Sequence, residues 1–209
     1  MPSVARLTKR FHRSKLFDPL QASSEFRYLA QAAAQTFGGT ASVYRFYDKD
    51  ESHSVGILSC TDAPQEGFST YSTIGVHEAT NMLEGTDVRV ELAGVTPTEA
   101  DGFANLLATA AFQVSKEGWL AAPGVVFPNL FREYGLSDTL EHILWVEPFP
   151  WESLGSVEAS HELTVHWLLG IPLADTEREY LEQEGYFGLE SLFEQHDLAY
   201  YDLHRATVV

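Results

Sequence analysis

The residues able to carry chemistry are scattered rather than grouped. Eight histidines are present, and the nearest approach to a motif is HELTVH, from His161 to His166. Zinc proteases place two histidines four apart on a helix, where both reach one ion. Here the spacing is five. On a strand that puts the pair on opposite faces, and on a helix far apart around the axis. Without cysteine pairs beside them, no metal is expected. His77 and Glu78 adjoin at the end of a predicted strand. A histidine–carboxylate pair is suited to general acid–base work, so this is the one readable place for a hydrolase site, on condition that both side chains enter one pocket. Ser69 and Ser72 have no GxSxG context. No GxGxxG and no phosphate-cradling GK[ST] loop occurs, so no cofactor is expected. Cys60, the single cysteine, has no partner for an internal disulfide and lies in the apolar run VGILSC, as a small buried hydrophobe does.

With catalytic signatures missing, charge becomes the stronger signal. The chain of 209 residues carries a formal net charge of −17. Its first fifteen residues hold Arg6, Lys9, Arg10, Arg13 and Lys15 and no acid; taking that +5 from −17 leaves −22 on the rest. A body this acidic repels phosphate backbones, which argues against nucleic acid as a partner and speeds encounter with a basic protein. No run is long enough to span a bilayer and none has signal-peptide character, so a cytoplasmic protein without membrane contact is expected. Residues 1–22 read as a basic N-terminal extension. Val4, Leu7 and Phe11 within it lie near helical spacing, and a frayed terminus is the plainer reading.

The elements that must position any site follow from periodicity. EFRYLAQAAAQTF carries Phe26, Leu29, Ala30, Ala33 and Phe37 on one stripe, with Ser23 or Ser24 as N-cap and Gly38–Gly39 as the stop. Strands are predicted at 41–47, 55–60, 68–76 and 88–93, the last alternating strictly through Val88, Val90 and Leu92. Thr96–Pro97 reads as a helix start, with Phe103, Leu106, Leu107, Ala110 and Val114 facing inward as far as Lys116. A loop-rich stretch with a short strand at 125–127 follows, then strands at 143–146 and 163–169. Asp175 caps a helix, a second covers 189–195, and 200–203 is expected to add an edge strand. The result is an α+β single domain, a mixed, mostly antiparallel sheet flanked by helices, over residues 23–209.

Two features point toward partners. Glu177, Glu179, Glu182, Glu184, Glu190 and Glu194 crowd the C-terminal helices, as a solvated face or as a surface for a basic partner. Trp119, Phe127, Phe131, Tyr134, Trp145, Phe149 and Trp151 gather in the loop-rich middle, most of them as core and some as candidate anchors. The run PFPW (Pro148 to Trp151) cannot continue a central strand.

In order, FGGTASVYRFYD (37–48), FSTYSTIGVHE (68–78), VRVELAG (88–94), AFQVSKEGWLAAPG (111–124), VVFPN, HILWVEPFPW (142–151), VHWLLGIPLADTEREYLEQEG, GLESLFEQ and YYDLHRATVV resemble the suppressor-of-fused (SUFU) domain family, in its stand-alone bacterial form. In the animal relatives this domain sequesters transcription factors by gripping a short peptide as an added strand, and a second domain follows it. The resemblance implies protein- or peptide-binding roles for Tyr71, Gly75 and Phe37. The bacterial members are regarded as immunity proteins that block a cognate toxin, often a nuclease. The expectation is therefore a non-enzymatic sequestering protein whose partner is a basic toxin. A hydrolase using His77 and a carboxylate is the alternative, and a homodimer paired through sheet edges is a third reading.

Overall fold

The computed structural model describes residues 13–16, 22–100 and 102–209; the pattern at Val4, Leu7 and Phe11 lies outside them. In chain order come β1 (Arg13–Leu16), α1 (Ser24–Phe37), β2 (Thr40–Tyr47), β3 (Ser54–Thr61) and β4 (Phe68–Ile74). A 3-10 turn at Val76–Glu78 and a small hairpin, β5 (Met82–Leu83) with β6 (Thr86–Asp87), precede β7 (Arg89–Pro97). Then follow α2 (Phe103–Ser115), β8 (Val126–Phe127), α3 (Leu130–Tyr134) and β9 (Leu140–Val146). The last elements are β10 (Val157–Ser160), β11 (Leu163–Ala174) and α4 (Asp175–Gln195).

The main sheet is ordered β1-β2-β3-β4-β7-β11-β9-β8, with β10 pairing the start of β11. Among the described strands only β7 and β11 run parallel, Val165 opposite Arg89 through Leu169 opposite Ala93. The sheet is thus mixed and mostly antiparallel and the class α+β, as the pattern of elements predicts. Alternation along the strands divides the interior into two cores. Val55, Ile57, Val90, Leu92 and Trp145 face α2 and α3. Leu58, Cys60, Val95, Trp167, Leu169 and Ile171 face α1 and α4. Strands apolar on both faces belong in the middle of a sheet covered on both sides. Each fully buried Leu, Ile or Phe contributes roughly 1.5–3 kcal/mol.

Helix α1 begins where the sequence indicates. The Ser23 hydroxyl accepts the Phe26 amide at 3.0 Å, Phe26, Leu29, Ala33 and Phe37 are buried, and Gly38 ends the helix at φ 78°. The start of α2 differs. β7 continues through Thr96, opposite Ser69, to Pro97, opposite Phe68, and the helix begins only after Gly102. Pairing with β4 outweighs the local Thr-Pro signal, and a strand end tolerates the missing proline amide. The predicted strand at 68–76 stops at Ile74 and gives way to the 3-10 turn. No strand forms at 200–203. Its backbone is occupied in turns, Asp202 N–H to Ala199 O and Arg205 N–H to Asp202 O, while Leu203 is buried. The two predicted C-terminal helices are one element broken at Gly185, φ 77°. Its N-cap position is Ala174, with Asp175 in the first turn.

The start of α4 is held by a buried ion pair. The Arg205 guanidinium meets Glu177 at 2.6 and 2.8 Å in bidentate fashion and donates to Pro172 O at 2.6 Å. Glu177 also accepts the Ala174 and Val208 amides. Strand β11, helix α4 and the last residues therefore meet at one carboxylate. Arg205→Ala leaves that charge buried without its cation, so urea unfolding is expected to show a loss of about 3–5 kcal/mol. A change below about 1 kcal/mol would mean that the pair does not fasten α4.

Candidate functional site

The three residues singled out by resemblance do not converge. Tyr71 lies in β4 on the α2 face, directly opposite Gly94, with its ring 5.4 Å from Phe103. A Cβ on Gly94 would stand 2.5 Å from the Phe103 ring, so the glycine makes room for that phenylalanine and Tyr71 closes over the gap. Phe37 is the last residue of α1, 5% exposed, its ring tilted against Trp151 at 4.6 Å in the core on the other side of the sheet. Gly75 follows β4 at φ 121°, a backbone region open mainly to glycine. Tyr71 and Gly75 share one segment; Phe37 is on the opposite face.

His77 does have a carboxylate partner, but it is Glu91 rather than Glu78. His77 Nδ1 lies 2.5 Å from Glu91 Oε1. Glu91 also accepts from the Thr73 hydroxyl at 2.5 Å and the Gly75 amide at 2.6 Å. The Val76 and His77 amides follow, each at 3.3 Å. Glycine's positive φ turns these successive amides toward one point, the geometry of an anion-binding nest. Here the anion is the protein's own. With His77 4% exposed and Glu91 0%, neither group reaches a substrate, and the pair is a tie between β4 and β7. Alternation in VRVELA carried no signal for it, because it puts Glu91 with Arg89 on the face opposite Val88, Val90 and Leu92, where a strand glutamate ordinarily meets solvent.

The two histidines of HELTVH do not meet. His166 Nδ1 lies 2.7 Å from Gly155 O, whereas His161 is exposed. Glu141, His142 and Asp175 offer ligand atoms within 4.8 Å of one another, a grouping that sequence spacing did not reveal. His142 Nδ1 accepts the Asn129 amide at 2.9 Å and Nε2 faces Asp175 at 3.0 Å. That arrangement puts the ring proton on Nε2 and leaves neither nitrogen a lone pair for a cation. Glu141 pairs with Arg132 at 2.5 Å. Burial pushes the Cys60 thiol up to about 11, away from the thiolate that reactive cysteines need.

Among several concavities of the described surface, one lies between the second half of α4 and the sheet. It measures about 440 Å³, and its floor is Leu144, Val146, Ile171, Phe193 and Leu198. Four carboxylates line it, Glu147, Glu190, Glu194 and Asp197. Phe149, 58% exposed between two prolines, stands at its mouth. Sequence analysis singled out Glu190, Glu194 and Phe149 separately, as a charged helix face and a loop aromatic; their meeting depends on how α4 returns over β9 and β11. Among the described residues, no helix is long and apolar enough to cross a membrane.

Comparison with known proteins agrees with this architecture. The family model for suppressor of fused protein (SUFU) matches residues 51–206. Immunity protein YqcF of Bacillus subtilis (strain 168) is 33% identical over 190 residues, covering 90% of this chain and 98% of that protein. A suppressor-of-fused homologue from Neisseria gonorrhoeae superposes with a TM-score of 0.57 at 18% identity, over 95% of this chain and 88% of its own. Drosophila Suppressor of Fused gives a TM-score of 0.65 at 13% identity, over 92% of this chain and 54% of its own.

The His77–Glu91 tie predicts a pH dependence. Burial opposes charging of His77, but the Glu91 carboxylate outweighs it and holds the imidazole above its ordinary value. A pKa raised by folding stabilises fully below the unfolded value, about 6.5, and that stabilisation is lost as pH rises through the folded value. Urea unfolding from pH 5.5 to 9 is expected to show the native protein weakening on the alkaline side and His77→Gln following a flatter profile. Parallel profiles would remove the ion pair from the account.

Proposed function

The chain belongs to the suppressor-of-fused family, and we propose that it is a non-enzymatic immunity protein that binds and neutralises a cognate toxin in the cytoplasm. One observation carries this reading: identity of 33% to an immunity protein, extending over 98% of that protein's length. A solved Sufu–Fu complex superposes with a TM-score of 0.62 at 13% identity, so the same fold serves protein binding elsewhere. The formal charge of −17 favours a basic partner, and the phosphate-binding surfaces of nucleases are basic, which makes a nuclease toxin the preferred target. Sequestration needs surface complementarity and no catalytic pocket. The sealed His77–Glu91 pair accordingly supports binding over the hydrolase alternative. Tyr71 and Gly75 are kept as contact candidates on one side of the sheet; Phe37 would have to act through its packing on Trp151.

Co-expression with the toxin encoded beside the gene provides the test. Growth should be restored, and light scattering of the purified pair should show one stoichiometric complex whose affinity falls with salt. If cells die as fast with the protein as without it, and the two elute separately at low salt, the immunity reading fails. The same trace gives the mass of the free protein, and a dimer there would favour the edge-paired homodimer.

A further inference from the structure

The groove between α4 and the sheet is built against its own electrostatics. Glu190 and Glu194 are four residues apart on one helix face, where like charges repel. Glu194 and Asp197 lie at the C-terminal end of α4, where the helix dipole is negative and favours cations. That last turn contains no basic residue. Among the described residues, none of Glu147, Glu190, Glu194 and Asp197 forms an ion pair. In the first half of α4 three of the acids are paired, Asp175 and Glu182 with Arg178 and Glu177 with Arg205, whereas among the described residues Glu179 and Glu184 form no ion pair. Burial, then Glu190 and Glu147, push the Tyr186 phenol upward, in keeping with a negative potential in the groove. Beneath this rim the floor is wholly aliphatic and aromatic, and the volume of about 440 Å³ falls within the roughly 300–1,000 Å³ typical of sites that seat a ligand.

We propose that this groove is the docking surface of the protein, and that its occupant is a basic amphipathic segment of the partner protein. Apolar side chains of that segment enter over Leu144, Val146, Ile171 and Phe193. Lysines or arginines along its flanks meet Glu147, Glu190, Glu194 and Asp197. Phe149, fixed between Pro148 and Pro150, supplies the exposed aromatic anchor that interfaces favour. A small polar ligand suits the site poorly, because the charges stand around an apolar floor and do not converge on one point. The identity of the partner as a toxin rests on the immunity reading; the chemistry of the groove does not.

The test uses the full chain and, as probe, a synthetic 14-residue leucine–lysine amphipathic helix, titrated by calorimetry at low and high salt. Wild type is expected to bind it, more weakly as salt rises. Glu190→Lys, Glu194→Lys and Asp197→Lys together should weaken binding at least tenfold. Glu99→Lys, Glu158→Lys and Glu162→Lys, an equal change of charge on exposed residues elsewhere, should stay within about twofold, and Phe149→Ser alone should weaken binding severalfold. Thermal melts confirm that each variant is folded. No binding by wild type, or equal losses in the two triple variants, overturns the proposal. The same variants in the growth assay separate the two ideas. If wild type and both triple variants protect cells equally, the immunity function stands and the groove is not its surface. If none protects, the immunity reading falls, and the peptide titration alone decides the groove.

Discussion

Glu91 sits in the central strand β7 with none of its surface in water, and an unmatched charge there would cost several kcal/mol. The matching groups come from a single segment: the Thr73 hydroxyl, three successive amides from Gly75 to His77, and the His77 ring. That demand shapes the chain around it. The β4–β7 ladder ends at Ser72 opposite Ala93, although β4 stays paired with β3 as far as Ile74. Beyond Ser72 the Thr73 side chain takes over, accepting the Leu92 amide while donating to Glu91. Strand β4 must then stop, and the backbone must turn through a residue free to adopt φ 121°, so that its amides face the carboxylate.

The same economy governs the two cores. Strands apolar on both faces need close cover on both sides, and glycines admit it. A Cβ on Gly56 would stand 2.6 Å from the Phe26 ring, and one on Gly170 would stand 2.3 Å from Ile143. Helix α1 approaches the sheet through the first gap, and the Ile143 side chain of the neighbouring strand β9 fills the second. Side chains that look chemical in isolation are thereby consumed by folding: His77 and His142 in buried hydrogen bonds, Trp167 donating to Ser72 at 2.8 Å, and Thr109 paired with Tyr134 at 2.6 Å. What remains for function is surface shape and charge, as a binding protein requires.

Periodicity made most of this architecture legible. The stripe of α1, the inward face of α2 and the alternating run in β7 all had lengths at which pattern outweighs accident. Short elements escaped. β10 has 4 residues and α3 has 5, too few to show a period. Thr96–Pro97 misled because a helix-start signal is local, whereas pairing with β4 is not. The candidate site was legible only in pieces. Phe149 was one of the aromatics gathered in the loop-rich middle and Glu190 and Glu194 part of a charged helix face, whereas nothing in the sequence separates Leu144 and Ile171 from other apolar residues. Sequence carries no sign of where a returning helix leaves a cleft above the core. Glu91 was hidden for the opposite reason, since a glutamate in a strand ordinarily points to solvent and here the second face is also covered.

An acidic rim around an apolar floor also resolves a conflict between staying soluble and binding firmly. In the free protein Glu147, Glu194 and Asp197 are exposed, so high-dielectric solvent weakens their mutual repulsion and ions screen it beyond about 8 Å at physiological salt. The cost of keeping them together is therefore small. When an apolar segment covers the floor and expels water, the effective dielectric falls, and each contact between carboxylate and cation strengthens. The C-terminal dipole of α4, unfavourable to its own acids, then acts in the same direction as they do on an incoming cation. Repulsion is cheap in the open state and attraction is strong in the closed one. That asymmetry lets four like charges persist around a hydrophobic groove, and it ties tight binding to a partner that brings apolar and basic groups together.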